Sequence, residues 1–328
     1  MKKVLCYCEM NGATGFGHYS RIDILLKILN LKKIDIITEN VNYAKKFFKN
    51  HNIIKKKNLF NFVIKNIDKY DLLILDPPYY PNKKKNYENF SMNFKKIYNH
   101  NKKKFKTIWL TDETNPSPKY CDLLINDFPK SNLFKKFYQK YNKKIKLVLG
   151  IYSFLFQKEI LSLGNKKIEK KHILIAFGGE DPKNLILKHF KYFKKINFKK
   201  IFITNRRVFK FIKKYRSAKN IIIQKKEPKE KFLKLLSQSK FYISTPSNIM
   251  FEAWSLGIPG NVIPIQNRQL EMGKAFKKFN IINLLPFYKK LSSSDLKKKV
   301  KLKFPNFKKK FDKKKAMRTQ KIIKNFVN

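Results

Sequence analysis

The sequence predicts an α/β protein built from two doubly wound, Rossmann-like domains facing a central cleft. Three observations carry that prediction. Short apolar runs of strand length alternate with longer amphipathic stretches, the mark of parallel strands joined by crossover helices. The alternation occurs in two series, one from Val4 to about Leu149 and a second from Ile173 onward. The first strand of each series is followed by a glycine turn, Gly15-Phe16-Gly17 in one and Gly178-Gly179 in the other. At 328 residues and 43% hydrophobic content the chain is long enough for two domains and too apolar for disorder.

In the first series Val4-Leu5-Cys6-Tyr7-Cys8 has strand length, and Ile22 to Leu29 has the spacing of a helix packed on a sheet. Ile34 to Thr38 reads as a second strand and Tyr43 to Lys49 as a helix. Asp71 to Asp76 is a strand ending in the rigid Pro77-Pro78-Tyr79-Tyr80-Pro81. Lys106 to Leu110 is another, ending in Thr111-Asp112-Glu113, and Cys121 to Asn126 one more. Leu147-Val148-Leu149-Gly150 closes the series. The lysine-rich stretch 151–171 reads as a linker between a first domain over 1–150 and a second over 172–305.

The second series opens with the strand Ile173 to Phe177, the turn Gly178 to Pro182, and a helix from Asn184. Ile201 to Thr204 and Ile221 to Ile223 are strands, and Lys231 to Ser239 is helical. Phe241 to Ser244 ends in Thr245-Pro246-Ser247-Asn248. Ile249 to Leu256 is a helix that Gly257 is placed to cap. Asn261 to Ile265 is a short strand with Gln266-Asn267-Arg268-Gln269 at its carboxyl end. The basic tail 306–328 is expected to form surface helix and to pack back on the first half.

The net charge is +54, yet the excess is nearly all lysine and is spread along the chain. The arginines are Arg21, Arg206, Arg207, Arg216, Arg268 and Arg318. Lysine is abundant together with Asn, Ile, Phe and Tyr, as in an AT-rich coding sequence, so no specific nucleic-acid partner is expected. The charge still attracts acidic substrates, most strongly at low salt. Three cysteines, Cys6, Cys8 and Cys121, argue for a reducing compartment without a disulfide framework. The N-terminal apolar run is too short for an export signal, and no run approaches the length of a membrane span. The expectation is a cytoplasmic protein. A periplasmic-type binding protein has a similar two-domain pattern but needs an export signal.

Ligands of parallel sheets bind beyond the carboxyl ends of the strands, which makes Asp76, Tyr79, Asp112 and Glu113 site candidates. Gly15 and Gly17 leave backbone amides free at a helix start, where an anion binds. His18, on the same turn, is the side chain suited to proton transfer near neutrality, and Arg21 offers a fork of donors to phosphate or carboxylate. Amides at Gly178 and Gly179, and at the helix opened by Ser247 and Asn248, can meet the charge of a departing diphosphate, with Arg268 as an added cation. No Asp-x-Asp pair stands at a strand end, so neither a metal nor a cofactor is expected.

Gly15-Phe16-Gly17-His18 with Arg21, Leu147 to Glu159, Ile175 to Asn184, Ser247 to Pro259 and Asn267 occur in one order over residues 4 to about 278. This ordered set resembles the UDP-2,4-diacetamido-2,4,6-trideoxy-β-L-altropyranose hydrolases of pseudaminic-acid biosynthesis, which share the GT-B architecture with glycosyltransferases. Met250-Phe251-Glu252 stands where the family has Ser/Thr-Trp-Glu, and Asn267-Arg268 where it has Asn-Gln. The resemblance implies metal-independent, inverting hydrolysis of the anomeric C–O bond of a UDP-sugar, releasing UDP and free sugar. It implies that His18 activates the water, that Tyr79 and Asn267 meet the sugar or phosphate, and that Glu252 accepts hydrogen bonds from the ribose. A GT-B glycosyltransferase with the same nucleotide site is the alternative, distinguished by its need for an acceptor. A non-catalytic basic binding protein would show salt-sensitive binding and no turnover.

Overall fold

The computed structural model describes residues 2–8, 17–55, 59–77, 92–99, 105–163, 168–178, 181–216, 218–225, 228–292, 295–296 and 310–327. The chain divides into two compact units, Met1–Leu155 with Lys314–Asn328, and Phe156–Lys313.

The first unit runs β1 (Val4–Cys8), α1 (Gly17–Ile28), β2 (Asp35–Thr38), α2 (Val41–Phe47), β3 (Asn52–Lys55), α3 (Leu59–Asn66) and β4 (Leu72–Asp76). Helix α4 (92–99) precedes β5 (Lys106–Thr111), β6 (Leu123–Asn126), α5 (Lys135–Tyr141) and β7 (Lys146–Leu149). The seven strands are ordered β3-β2-β1-β4-β5-β6-β7, with every pairing parallel.

Alternation along each strand sorts side chains to two faces. Val4, Cys6, Leu72, Ile74, Ile108, Leu123 and Ile125 face one core with Ile22, Leu25 and Leu26 of α1. Leu5, Leu73, Leu75, Trp109 and Leu124 face the other, with Phe94 and Ile97 of α4 and Tyr138 of α5. A sheet covered on both faces buries continuous apolar runs, which is why its central strands are readable as such runs. The C-terminal helix completes the first face with buried Ile323, Phe326 and Val327. Lys2 donates to the Val327 carbonyl and Lys106 Nζ to the Phe326 carbonyl at 3.0 Å.

The second unit runs α6 (Lys158–Leu163), β8 (His172–Ala176), α7 (Leu185–Phe193), β9 (Lys200–Thr204), α8 (Arg206–Ile212), β10 (Ile221–Lys225), α9 (Lys229–Ser237), β11 (Ser239–Ser244), α10 (Asn248–Ser255), β12 (Gly260–Val262), α11 (Asn267–Lys277) and β13 (Ile282–Leu284). Helix α12 (Lys313–Val327) is the helix that completes the first unit's core. The second sheet is also parallel throughout, ordered β10-β9-β8-β11-β12-β13. Ile173, Ile175, Phe202, Ile223 and Ile243 pack on Leu185, Ile186 and Phe190 of α7 and on Val208 and Ile212 of α8. Gly260 is required by close approach, since a Cβ there would lie 2.2 Å from the Tyr242 ring.

Several elements differ from the sequence reading. The edge strands β3 and β13 and helices α8 and α11 were not predicted. Asn267 opens α11 where a loop was expected. The strand expected over Asn261 to Ile265 ends at Val262, shortly before Pro264, which has no N–H to give a ladder. The stretch 151–171 carries a 3-10 turn, Ile151–Ser153, then buried Phe154, Leu155 and Phe156, then α6.

Candidate active site

In the first sheet the chain leaves β1 for β2 and β3 on one side, then returns as β4 on the other. The carboxyl ends of β1 and β4 therefore flank the point where strand order reverses, the usual ligand position in such sheets. The structure brings two sequence-predicted residues together there. His18, in the first turn of α1, places Nδ1 2.9 Å from Oδ1 of Asp76, the last residue of β4. Both are buried, His18 at 6% exposure and Asp76 at 0%.

Arg21, one turn further along α1, joins the same carboxylate. Its Nε donates to Asp76 Oδ2 at 3.0 Å and its Nη2 donates to Oδ1. Nη1 lies 4.0 Å from Asp127, just beyond β6. The fork expected to meet a substrate anion thus faces carboxylates of its own unit. Burial pushes the Asp76 carboxyl up, but the charges of Arg21 and then His18, with their hydrogen bonds, outweigh it and hold the carboxyl at about 2. Burial lowers Arg21, and Asp76, Asp112 and Asp127 more than offset it, so the guanidinium is held charged.

An ionised Asp76 only accepts hydrogen bonds, so Nδ1 of His18 carries the proton in the Asp76 contact. In the neutral ring Nε2 then holds the free lone pair. Arg21 Nη2 also lies 3.2 Å from Nδ1, but two donors cannot bond, and that approach is charge against ring edge. Asp76 selects the tautomer, Arg21 pins Asp76, and the result is a histidine with one basic nitrogen.

The next strand end supports this group from beside it. Glu113 is buried and accepts from Ser117 Oγ at 2.9 Å and from Lys119 Nζ at 3.1 Å. Lys119 is fully buried, 5.3 Å above the Trp109 ring centroid. Burial pulls its ammonium down, and Glu113 opposes that without reversing it. This cluster ties down the segment after β5 that carries Asp112. Gly17 is the first residue of α1. Gly15 and Tyr79 fall outside the described residues.

The second sheet has its own reversal, between β8 and β11. Gly178 follows β8 with φ +71°, a conformation that glycine adopts without penalty, and a Cβ there would meet nothing within 4 Å. Gly179 lies outside the described residues. Asp181 Oδ1 and Oδ2 accept from the backbone N–H of Leu185 at 2.8 Å and of Ile186 at 3.0 Å, which caps α7. Asp181, Pro182, Asn184, Asn205, Arg206 and Arg207 line a cavity of about 280 Å³ at the carboxyl ends of β8 and β9. Arg206 and Arg207 were not singled out from the sequence. Their signal was there, since two of six arginines are adjacent at a strand end.

Beyond β11, Ser247 is the N-cap of α10 and Asn248 its first residue. Ser247 spends its hydroxyl on the Thr245 carbonyl at 3.2 Å, which leaves capping of the first-turn amides to another partner. Glu252, on the second turn, is buried and takes Lys229 Nζ on Oε1. Asn267 is exposed and Arg268 half-buried on the first turn of α11. Among the described residues no group of three His, Cys, Asp or Glu side chains is arranged to hold a metal ion. No described helix is long and apolar enough to cross a membrane.

These two sheets place the chain in the GT-B class of two-domain α/β architectures. MurG of Acinetobacter baumannii aligns over 99% of this chain and 98% of its own, at TM-score 0.62 and 11% identity. MnaA of S. aureus, solved with UDP, aligns over 100% and 97%, at TM-score 0.60 and 13% identity. The UDP-GlcNAc 2-epimerase of Methanocaldococcus jannaschii aligns over 98% and 99%, at TM-score 0.55 and 15% identity. In sequence the chain is 28% identical over 279 residues to Uncharacterized protein MJ1062 of Methanocaldococcus jannaschii. That match covers 78% of this chain and about half, 54%, of the relative. No family model matches.

Proposed function

We propose that the protein is a nucleotide-sugar hydrolase that cleaves the anomeric C–O bond of a UDP-linked diacetamido-trideoxyhexose. The products are UDP and the free sugar, a step towards nonulosonic acids of the pseudaminic type. The observation that carries the reading is the His18 Nδ1–Asp76 Oδ1 contact of 2.9 Å at the strand reversal of the first sheet. The structural likeness to MurG, to an epimerase of UDP-GlcNAc and to a UDP-bound MnaA supports the nucleotide-sugar class. The ordered sequence motifs support the hydrolase within that class.

In the proposed reaction Nε2 of His18 removes a proton from water as the water oxygen bonds to the anomeric carbon. The bond from that carbon to the diphosphate oxygen breaks with inversion, and its electron pair leaves with UDP. A positioned base of this kind contributes about 10²–10⁴-fold. Asp76 orients the ring and stabilises the imidazolium that forms; Arg21 is a positioning residue for Asp76 and no longer needs to meet substrate. On the second unit, the turn at Gly178 and the first amides of α10 meet the diphosphate without a metal. Arg206 and Arg207 add fork-shaped donors at the cavity beside that turn. Glu252 receives the ribose, and Tyr79, Asn267 and Arg268 keep their proposed contacts to sugar and phosphate.

The test is incubation with UDP-sugars in oxygen-18 water without acceptor. Release of UDP with label in the sugar is expected, and His18→Ala abolishes it while UDP binding stays within a few-fold. Label in the phosphate, or no release until an acceptor alcohol is added, overturns the hydrolase reading.

A further inference from the structure

The Glu252 carboxylate is divided between two situations. Oε1 accepts from Lys229 Nζ, whereas Oε2 is buried and has no hydrogen-bond partner. Native interiors pair nearly all such atoms, so an unpaired carboxylate oxygen is an acceptor awaiting a donor. Only 3% of Glu252 is exposed. Lys229 reaches it from a different element: it is the first residue of α9, its ammonium 5.5 Å over the Phe232 ring. The lysine side chain is 34% exposed, at the rim of the group it holds.

We infer that Lys229 is a positioning residue that makes this site selective for ribonucleotides over 2′-deoxyribonucleotides. With Oε1 occupied, the carboxylate cannot rotate to satisfy itself, and Oε2 is the one oxygen left to receive hydroxyl donors. A vicinal diol fills both of its acceptor directions; a 2′-deoxyribose fills one and leaves the buried atom short. Without the ammonium, the carboxyl is free to turn and to reach other partners, and the penalty against the deoxy sugar fades. The inference rests on the reading that the second unit binds a uridine nucleotide.

Calorimetric titration with UDP and with 2′-deoxy-UDP tests it on the full chain. The wild type should prefer UDP by about tenfold or more, as sites built to bond a hydroxyl do against the analogue lacking it. Lys229→Met should bring the preference below about threefold, chiefly by loss of UDP affinity, and Lys229→Arg should restore it by keeping a charged donor on Oε1. Should Lys229→Met fold poorly, Glu252→Gln with Lys229 intact is expected to collapse the ratio in the same way. Equal weakening of both nucleotides, with the ratio kept, shows a purely structural lysine and overturns the inference alone. Failure of the wild type to bind UDP overturns the nucleotide reading and this inference with it.

Discussion

Replacing Asp76 by Asn keeps the shape of the side chain and removes its charge. The structure says that no orientation of the amide can serve. Arg21 donates to both oxygens and His18 to one of them. An amide N–H₂ at the Oδ2 position would face Arg21 Nε, donor against donor. At the Oδ1 position it would face Arg21 Nη2 and force His18 to surrender its Nδ1 proton. A depression of the carboxyl from 3.8 to about 2 corresponds to about 2 kcal/mol of folding free energy. Breaking a buried pair and stranding the remaining charge costs about 3–5 kcal/mol. Asp127, at 4.0 Å from Nη1, relieves only part of that. A loss of ~3 kcal/mol lowers the melting temperature by about 6–12 °C in a domain of this size. Trp109 lies in the first unit and Trp254 in the second, so fluorescence melts in a Trp254→Phe background read the first unit alone. Nitrogen-15 spectra of His18 give the second readout: the proton sits on Nδ1 in the wild type and moves in the variant. A melting temperature within about 1 °C of the wild type, with the tautomer unchanged, would refute the reasoning.

Three more expectations concern Asp76, the Gly260–Tyr242 approach and the Arg206–Arg207 cavity. Because the Asp76 carboxyl is depressed in the folded protein, its contribution is complete above pH 3.8 and is lost as the pH falls towards about 2; urea midpoints of wild type and Asp76→Asn should converge across that window, and parallel pH profiles would contradict it. Gly260→Ala places a Cβ 2.2 Å from a Tyr242 ring that is 1% exposed, so the second unit should lose about 1–3 kcal/mol through overpacking, read by urea unfolding and recovered by Tyr242→Leu. Arg206→Ala combined with Arg207→Ala should weaken UDP binding about tenfold and flatten its salt dependence; unchanged titrations from 50 to 300 mM salt would remove the two arginines from the ligand.

The central strands were legible because burial on both faces writes them as unbroken apolar runs, as in Leu72-Leu73-Ile74-Leu75 and Ile173-Leu174-Ile175. The outer strands were not. Asn52-Ile53-Ile54-Lys55 and Ile282-Asn283-Leu284 carry two apolar residues each, too few to distinguish a short edge strand from a loop. Helix α11 was hidden by its polar first turn, Asn267-Arg268-Gln269, which reads equally as a strand-end loop. His18 was visible on its glycine turn and Asp76 at a strand end, but their pairing was not. They are 58 positions apart, and only the return of β4 beside β1 brings them together. The bonds of Arg21 to Asp76 were hidden for the same reason: a lone guanidinium on a glycine turn suggests a substrate anion, and its carboxylate partner shows only when the neighbouring strand ends are known. The Lys229–Glu252 contact likewise joins two helices, α9 and α10, that share no local pattern.

Helix α12 has a bearing on how the protein is made. Ile323, Phe326 and Val327 close one face of the N-terminal sheet, although everything from Phe156 to Lys313 is translated between that sheet and its last covering helix. While the second unit emerges from the ribosome, the first must wait with an apolar strip open to solvent. The stabilisation from Ile323, Phe326 and Val327 arrives only after the whole second unit has been made, so a proteolytic cut that removes α12 would be felt in the lobe that carries His18.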